Sequence, residues 1–224
     1  MIELAKPAID VGLYTNARDT QLEFWQQTVG VSFSELLRVG GGVHQLRHAI
    51  GDSVLKINSC REPLTPAPPS GIRELSIASD VDAVVELSDP DGNQVRLVPH
   101  GHEGIKQLRV TMCVSDLAGH KHFWGSVLGL PENDDGTFQC GVSQLEFTEG
   151  DATLDPIQRA PGYRYLTVQV FDVKKTHADI IDAGGREGSA PVKLGDVAHI
   201  SFVRDPDGNW LEISQRKSIT GSLD

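Results

Sequence analysis

A chain of 224 residues, 39% hydrophobic, with 31 acidic against 20 dispersed basic side chains and a formal net charge of −11, is long enough for two small cores and too acidic for a phosphate-backbone partner. No uninterrupted apolar run approaches the ~20 residues of a membrane span. The opening Met1-Ile2-Glu3-Leu4-Ala5-Lys6 has no basic stretch followed by an apolar one, so no membrane partner and a cytoplasmic location are expected.

Each half opens with a short alternating strand followed by a helix. The first helix runs from Thr20 to Val29 and carries Phe24-Trp25. His44 and His48, four apart in a strand, share one face and read as packing or surface residues. Glu62 to Gly71 contains four prolines, too many for a helix or central strand, and reads as an exposed connector. Asp80 then runs almost directly into the strand Val81 to Leu87, which turns at Asp89-Pro90-Asp91-Gly92-Asn93. Asp-Gly favours the positive φ a tight reversal needs and Pro pre-sets the turn, so this is a hairpin. His100 to Gly104 links residues 1–103 to residues 104–224.

In the second half, Arg109 to Val114 alternates as a strand. Phe123, Trp124, Val127 and Leu128 form one face of a helix that Asp116 caps and Gly129 ends. His120 and His122 on that helix point about 200° apart and cannot chelate one ion. Further strands are predicted at 137–140, 142–147, 163–170, 199–203 and 210–214, with a helix over 174–183 stopped by Gly184-Gly185. Cys60, Cys113 and Cys140 form no CxxC pair and read as reduced structural thiols.

The hairpin pentapeptide recurs as Asp205-Pro206-Asp207-Gly208-Asn209, 116 positions after the first copy, whereas Phe123-Trp124 follows Phe24-Trp25 by 99. Two related halves follow, the first shorter by 17 residues through loss of a helix and a strand between Asp80 and Val81. The order is β-α-β-β-β, performed twice.

The stretch Val110 to Leu130, with Phe123-Trp124 and Leu128-Gly129, and the segment Asp205 to Glu212 resemble the vicinal oxygen chelate superfamily, which contains glyoxalase I, bleomycin-resistance proteins and type I extradiol dioxygenases. The likeness covers 105–216 and, more weakly, 8–99. It implies an α+β fold of two glyoxalase-like domains, 1–103 truncated and 104–224 complete, built from βαβββ modules forming curved mixed sheets.

Strand alternation puts Arg109, Thr111, Cys113, Gln144, Glu146, Tyr165, Thr167, Gln169, Trp210 and Glu212 on one polar and aromatic surface. In the resembled family that surface is the concave side of the sheet, and positions on the first and last strand of each module carry metal ligands. Carried over, these positions are Arg109, Glu146, Tyr165 and Glu212 in the second half, and Asp10, Lys56, Ile72 or Arg73, and Arg96 in the first. The glutamates match the pattern; Arg109 and Tyr165 stand where histidine is usual, which argues against a two-His-one-carboxylate iron dioxygenase. Three alternatives stay open: Arg109 bridging Glu146 and Glu212 in place of an ion, a divalent metal held by Glu146 and Glu212 with waters and the Tyr165 phenol, or solvated surface positions with no site. The cofactor is therefore unknown. Lys56 and Arg96 read either as an attraction for an anionic group or as solvated charges.

The expected activity is a lyase or isomerase step next to a carbonyl, with Glu212 or Glu146 as base, Tyr165 as donor and Arg109 as anchor. His199 is a further base candidate, although alternation leaves open whether His199 and Ser201 or Ile200 and Phe202 face inward. Trp210, Tyr163, Thr111, Phe202 and Thr167 are candidate contacts for a small aromatic or carbonyl-containing ligand. A ring-cleaving dioxygenase with unusual ligands and a non-catalytic drug binder are the rival functions. The truncated first half predicts a sheet edge that a second copy, in a homodimer, would cover.

Overall fold

The computed structural model describes residues 2–223 and resolves the two halves into four units. The first is β1 (Leu4–Thr15), α1 (Arg18–Glu23), β2 (Ser32–Gly40), β3 (Val43–Ile50) and β4 (Ser53–Cys60). The second has only β5 (Ile72–Ser79), β6 (Val85–Ser88) and β7 (Gln94–Pro99). The third is β8 (Leu108–Val114), α2 (Leu117–Lys121), β9 (Phe138–Cys140) and β10 (Ser143–Glu149). The fourth is β11 (Gly162–Val170), α3 (Val173–Asp182), β12 (Arg186–Leu194), β13 (Ala198–Arg204) and β14 (Trp210–Arg216). The helix missing from the shorter half is thus the one that would lie between β5 and β6.

Local chemistry sets these elements, with the cap at Asp116 and the stop at Gly129 where the sequence predicts them. Asp116 and Asp172 each accept a backbone N–H of the helix that follows, at 3.0 and 2.9 Å. Both α1 and α2 widen into a π-helical turn, Phe24–Thr28 and His122–Val127, and Gly30 and Gly129 leave these turns at φ 83° and 76°. Trp25, Phe123 and Trp124 are buried in the shared core. β12 is a strand that alternation does not announce, an exposed edge carrying Gly188 and Pro191.

The sheets do not follow the halves. One mixed sheet orders β12-β13-β14-β11-β1-β4-β3-β2 and the other β6-β7-β5-β8-β10-β9. The first and fourth units therefore build one sheet and the middle units the second. Antiparallel pairing of β1 with β11 joins the larger sheet, with Asp10 opposite Thr167 and Gly12 opposite Tyr165. β5 with β8 joins the smaller, with Glu74 opposite Thr111 and Ser76 opposite Arg109.

The repeated pentapeptides tie the two sheets together. Asn93, in the turn of the smaller sheet, accepts from Tyr163 N of β11 at 3.1 Å; Asn209, in the turn of the larger, accepts from Gly71 N before β5 at 2.6 Å. Each turn also docks on the helix of the preceding unit. Gln21 of α1 donates to Asp89 and Asp91 at 3.0 and 2.9 Å, and His120 of α2 meets Asp205 and Asp207 at 3.3 and 3.6 Å. His120 is thus a buried tie.

Candidate active site

Alternation along β1, β4, β11 and β14 puts Ile9, Val11, Leu55, Ile57, Leu166, Val168, Leu211 and Ile213 in the core. Their neighbours Asp10, Lys56, Thr167 and Glu212 converge on the other face. Lys56 Nζ donates to Thr167 Oγ1 at 2.7 Å and to Glu212 Oε2 at 2.9 Å, and Thr167 Oγ1 donates to the same Glu212 oxygen at 3.0 Å. Lys56 is 2% exposed and Glu212 9%. Glu212 Oε1 takes part in neither bond.

Charges around the ammonium act in opposite directions. Burial pulls the Lys56 pKa down, Glu212 and Asp10 push it up, Arg47 pulls it down, and the net direction is downward. Asp10 is held by Lys6, by Val54 N at 2.8 Å and by Gln169 Nε2 at 3.4 Å. At the rim, Arg47 and Arg216 reach Glu35 at 3.0 and 3.5 Å.

Beside this floor stands an aromatic wall. The Tyr165 ring lies over Gly12, where a β-carbon would overlap it. Its hydroxyl accepts from Asn58 Nδ2 at 3.1 Å and Gln45 Nε2 at 3.4 Å, which leaves its O–H to donate. Burial, with the charge of Glu212, raises the Tyr165 pKa well above the ordinary phenol value, and the same causes bring Tyr14 up to about 12. Tyr14, Phe202 and Trp210 continue the wall, with Tyr165 6.1 Å from Tyr14 and from Phe202, and Phe202 5.8 Å from Trp210. The Arg204 guanidinium stacks 3.8 Å from the Trp210 ring centre.

The smaller sheet has a second polar surface with the same register. Thr111 donates to Glu146 at 3.0 Å, as Thr167 does to Glu212. Arg96 pairs with Glu74 at 3.5 Å. Arg109 is tied to Gln144 Oε1 at 3.1 Å, Glu103 Oε2 at 3.1 Å and the Glu103 carbonyl at 2.6 Å, and lies 3.8 Å from Glu146.

These positions correct several expectations. Arg109 does not bridge Glu146 and Glu212, and those carboxylates do not share a metal, because β10 and β14 lie in different sheets. The cation at Glu212 is Lys56, contributed by the first half. On the first strand, the residues beside the glutamates are Thr167 and Thr111, one alternation beyond Tyr165 and Arg109. Tyr163 leaves the cup for the core and donates to the Gln94 carbonyl at 3.3 Å; a register shift between Gly12 and Leu13 breaks the alternation of β11. His199 points with Val203 to the helix side, since Phe202 and Trp210 take the cup side; its Nε2 is buried without a partner.

The donor set does not fit a divalent ion. At the larger sheet, two carboxylates and a hydroxyl surround an ammonium, a group with three donors and no lone pair to give. No cluster of three His, Cys, Asp or Glu side chains suited to a metal occurs among the described residues. All three cysteines are free, and no helix of the described residues is long and apolar enough to cross a membrane.

Residues 106–213 match the family model of the Glyoxalase/Bleomycin resistance protein/Dioxygenase superfamily. The chain is 35% identical over 89 residues to a probable lactoylglutathione lyase of Vibrio cholerae, covering 38% of this chain and 61% of that protein. It is 25% identical over 131 residues to the lactoylglutathione lyase of Haemophilus influenzae, covering 52% and 96% respectively. The chain thus spans about three fifths of the length of the Vibrio relative. Among solved structures, glyoxalase I from Zea mays superposes with a TM-score of 0.75 at 14% identity, covering 96% of this chain and 92% of that one. A putative dioxygenase from Bacillus subtilis superposes with a TM-score of 0.64 at 12% identity, covering 100% and 91%. At these identities the structural likeness establishes the fold.

Proposed function

The chain belongs to the vicinal oxygen chelate superfamily, and from that premise we propose that it is a small-molecule lyase or isomerase acting next to a carbonyl, with the Lys56 ammonium in the seat that a metal takes in the resembled family. The observation that carries this reading is the Lys56, Thr167 and Glu212 cluster on the cup floor. Lys56 and Thr167 fix Glu212 through Oε2, leaving Oε1 to take a proton from the carbon beside a carbonyl and return it to the neighbouring carbon. The Tyr165 O–H and the Lys56 ammonium face the negative charge that develops on oxygen, in a site where burial makes each donor count for more than in water. Half-buried Phe202 and Trp210 line the approach and suit a flat or partly apolar substrate. The relatives' names make the methylglyoxal–glutathione adduct the first substrate to try.

The test is turnover of that adduct and of related dicarbonyl adducts by protein stripped with a chelator. Turnover should survive chelation, and Glu212→Gln should lower kcat by about 10²–10⁴ while Glu146→Gln leaves most of it. Loss of activity on chelation with recovery on adding a metal would overturn the ammonium reading. Binding of aromatic ligands without turnover would favour a drug-binding protein, for which the four-ring wall is the specific observation.

A further inference from the structure

On the opposite face of the larger sheet from the cup lies a cleft of 380 Å³ lined by Arg18, Arg38, Val43, His44, Ser59 and Arg61 with Gly40 and Gly42. Its placement follows from register: Arg38 faces His44 across the β2–β3 pair, and His44 shares its side of β3 with Leu46 and with His48, which meets Gln26 of the α1 region at 3.0 Å. Among the described residues no carboxylate lines the cleft, in a chain whose net charge is −11. Arg61 pairs at the surface with Glu62 at 3.1 Å, both well exposed, a pair that water and salt screen to little. Arg18, Arg38 and His44 have no acidic partner among the described residues. A fourth arginine, Arg159, reaches the rim and donates to the Gly41 carbonyl at 2.8 Å.

The cleft is held in shape by its own backbone. Gly40, Gly41 and Gly42 have φ of 85°, 56° and 72°, a run open to glycine and strained for other residues, and it leaves the mouth clear of side chains. Arg61 N closes the turn onto the Gly42 carbonyl at 3.0 Å. Asn16, two residues before Arg18, donates to the carbonyls of Cys60 and Glu62, both at 2.9 Å, and accepts from Leu64 N at 2.7 Å. The arginines from three elements are therefore brought together by a pinned frame.

We infer that this cleft is a binding site for a soluble phosphate-bearing small molecule, distinct from the cup. Guanidinium groups grip phosphate oxygens in pairs and keep their charge at any working pH. The volume is that of a small-molecule site, and the acidic remainder of the surface repels a polyanionic chain.

Titration calorimetry of the intact protein with inorganic pyrophosphate, at ionic strength held constant with chloride, tests it. Saturable one-to-one binding is expected, with the amide signals of Gly40, Gly41 and Gly42 moving in NMR spectra. The double variant Arg18→Ala/Arg38→Ala should weaken binding at least about tenfold, whereas Lys174→Ala, an exposed cation on α3, should not. Equal binding by the double variant, or a response to chloride that matches pyrophosphate, overturns the inference. So does binding to vesicles containing phosphatidylserine without binding of pyrophosphate. All substituted residues are exposed, so the variants are expected to fold.

Discussion

The two cups of this molecule are built on one register and differ in how much water reaches them. Thr167 and Glu212 in the larger sheet correspond to Thr111 and Glu146 in the smaller, and both pairs close the same 3.0 Å bond. Lys56 corresponds to Arg96, Asp10 to Glu74, and Gly12 opposite Tyr165 to Ser76 opposite Arg109. In the larger cup, Lys56 is 2% exposed and Glu212 11% as side chains; in the smaller, Arg96 and Glu74 are 24% and 25%, and Glu146 is 39%. The same ladder of polar positions thus yields a nearly dry charge cluster on one side and a wet, screened one on the other. Burial of the carboxylate and its lysine sets the larger cup apart, together with the exchange of Arg109, itself 5% exposed, for Tyr165.

Lys56→Met should break this contrast most strongly. It strands Glu212 in a site that excludes water, at a cost of about 3–5 kcal/mol, read from urea denaturation. Arg96→Met in the wetter cup should cost at most about 1 kcal/mol. Lys56→Met/Glu212→Leu, which removes both charges, should regain most of the loss while remaining without activity. If it stays as unstable as the single variant, packing rather than charge holds the floor together.

Gly12→Ala sharpens the comparison at the wall. A methyl at Gly12 overlaps the Tyr165 ring and should cost about 1–3 kcal/mol by overpacking. Ser76→Ala, at the matching place beside Arg109, adds no atoms but removes a buried hydroxyl that donates to Glu74 at 3.1 Å, and should cost about 0.5–1.5 kcal/mol through the lost hydrogen bond. Paired thermal denaturation curves check both.

What could be read from the chain was local. The twin Asp-Pro-Asp-Gly-Asn turns, the cap at Asp116, the missing helix after β5 and the cup-facing side of Thr167, Trp210 and Glu212 all rest on neighbours within a few residues. What escaped depends on contacts with no local mark. Lys56 and Glu212 are 156 residues apart, and only the β1–β11 pairing, which exchanges sheets between the halves, brings them together. Alternation also cannot foresee the bulge that sends Tyr163 into the core, and Gly188 and Pro191 hide β12. The most conspicuous motif proved to be a structural tie between sheets, while the candidate chemistry lies on a lysine within an ordinary strand.

The contrast that separates the two halves most cleanly concerns the ties beneath the turns. The first half uses Gln21, which donates to Asp89 and Asp91 and accepts from Trp25 at 2.8 Å; the second uses His120 against Asp205 and Asp207. Burial lowers the His120 pKa, but the hydrogen bond and charge of Asp205, the Asp116 carbonyl and the charge of Asp207 outweigh it, and the net direction is upward from 6.5. A raised folded-state pKa adds stability that is complete below the unfolded value and is lost as pH rises through the folded one. Wild-type stability should therefore decline as pH is raised above about 6.5, where the Gln21 tie is unchanged. His120→Gln, which installs the first half's solution in the second, should cost about 1–3 kcal/mol at pH 6 and flatten the pH dependence over that window. A variant that keeps the full slope would place the titrating group elsewhere.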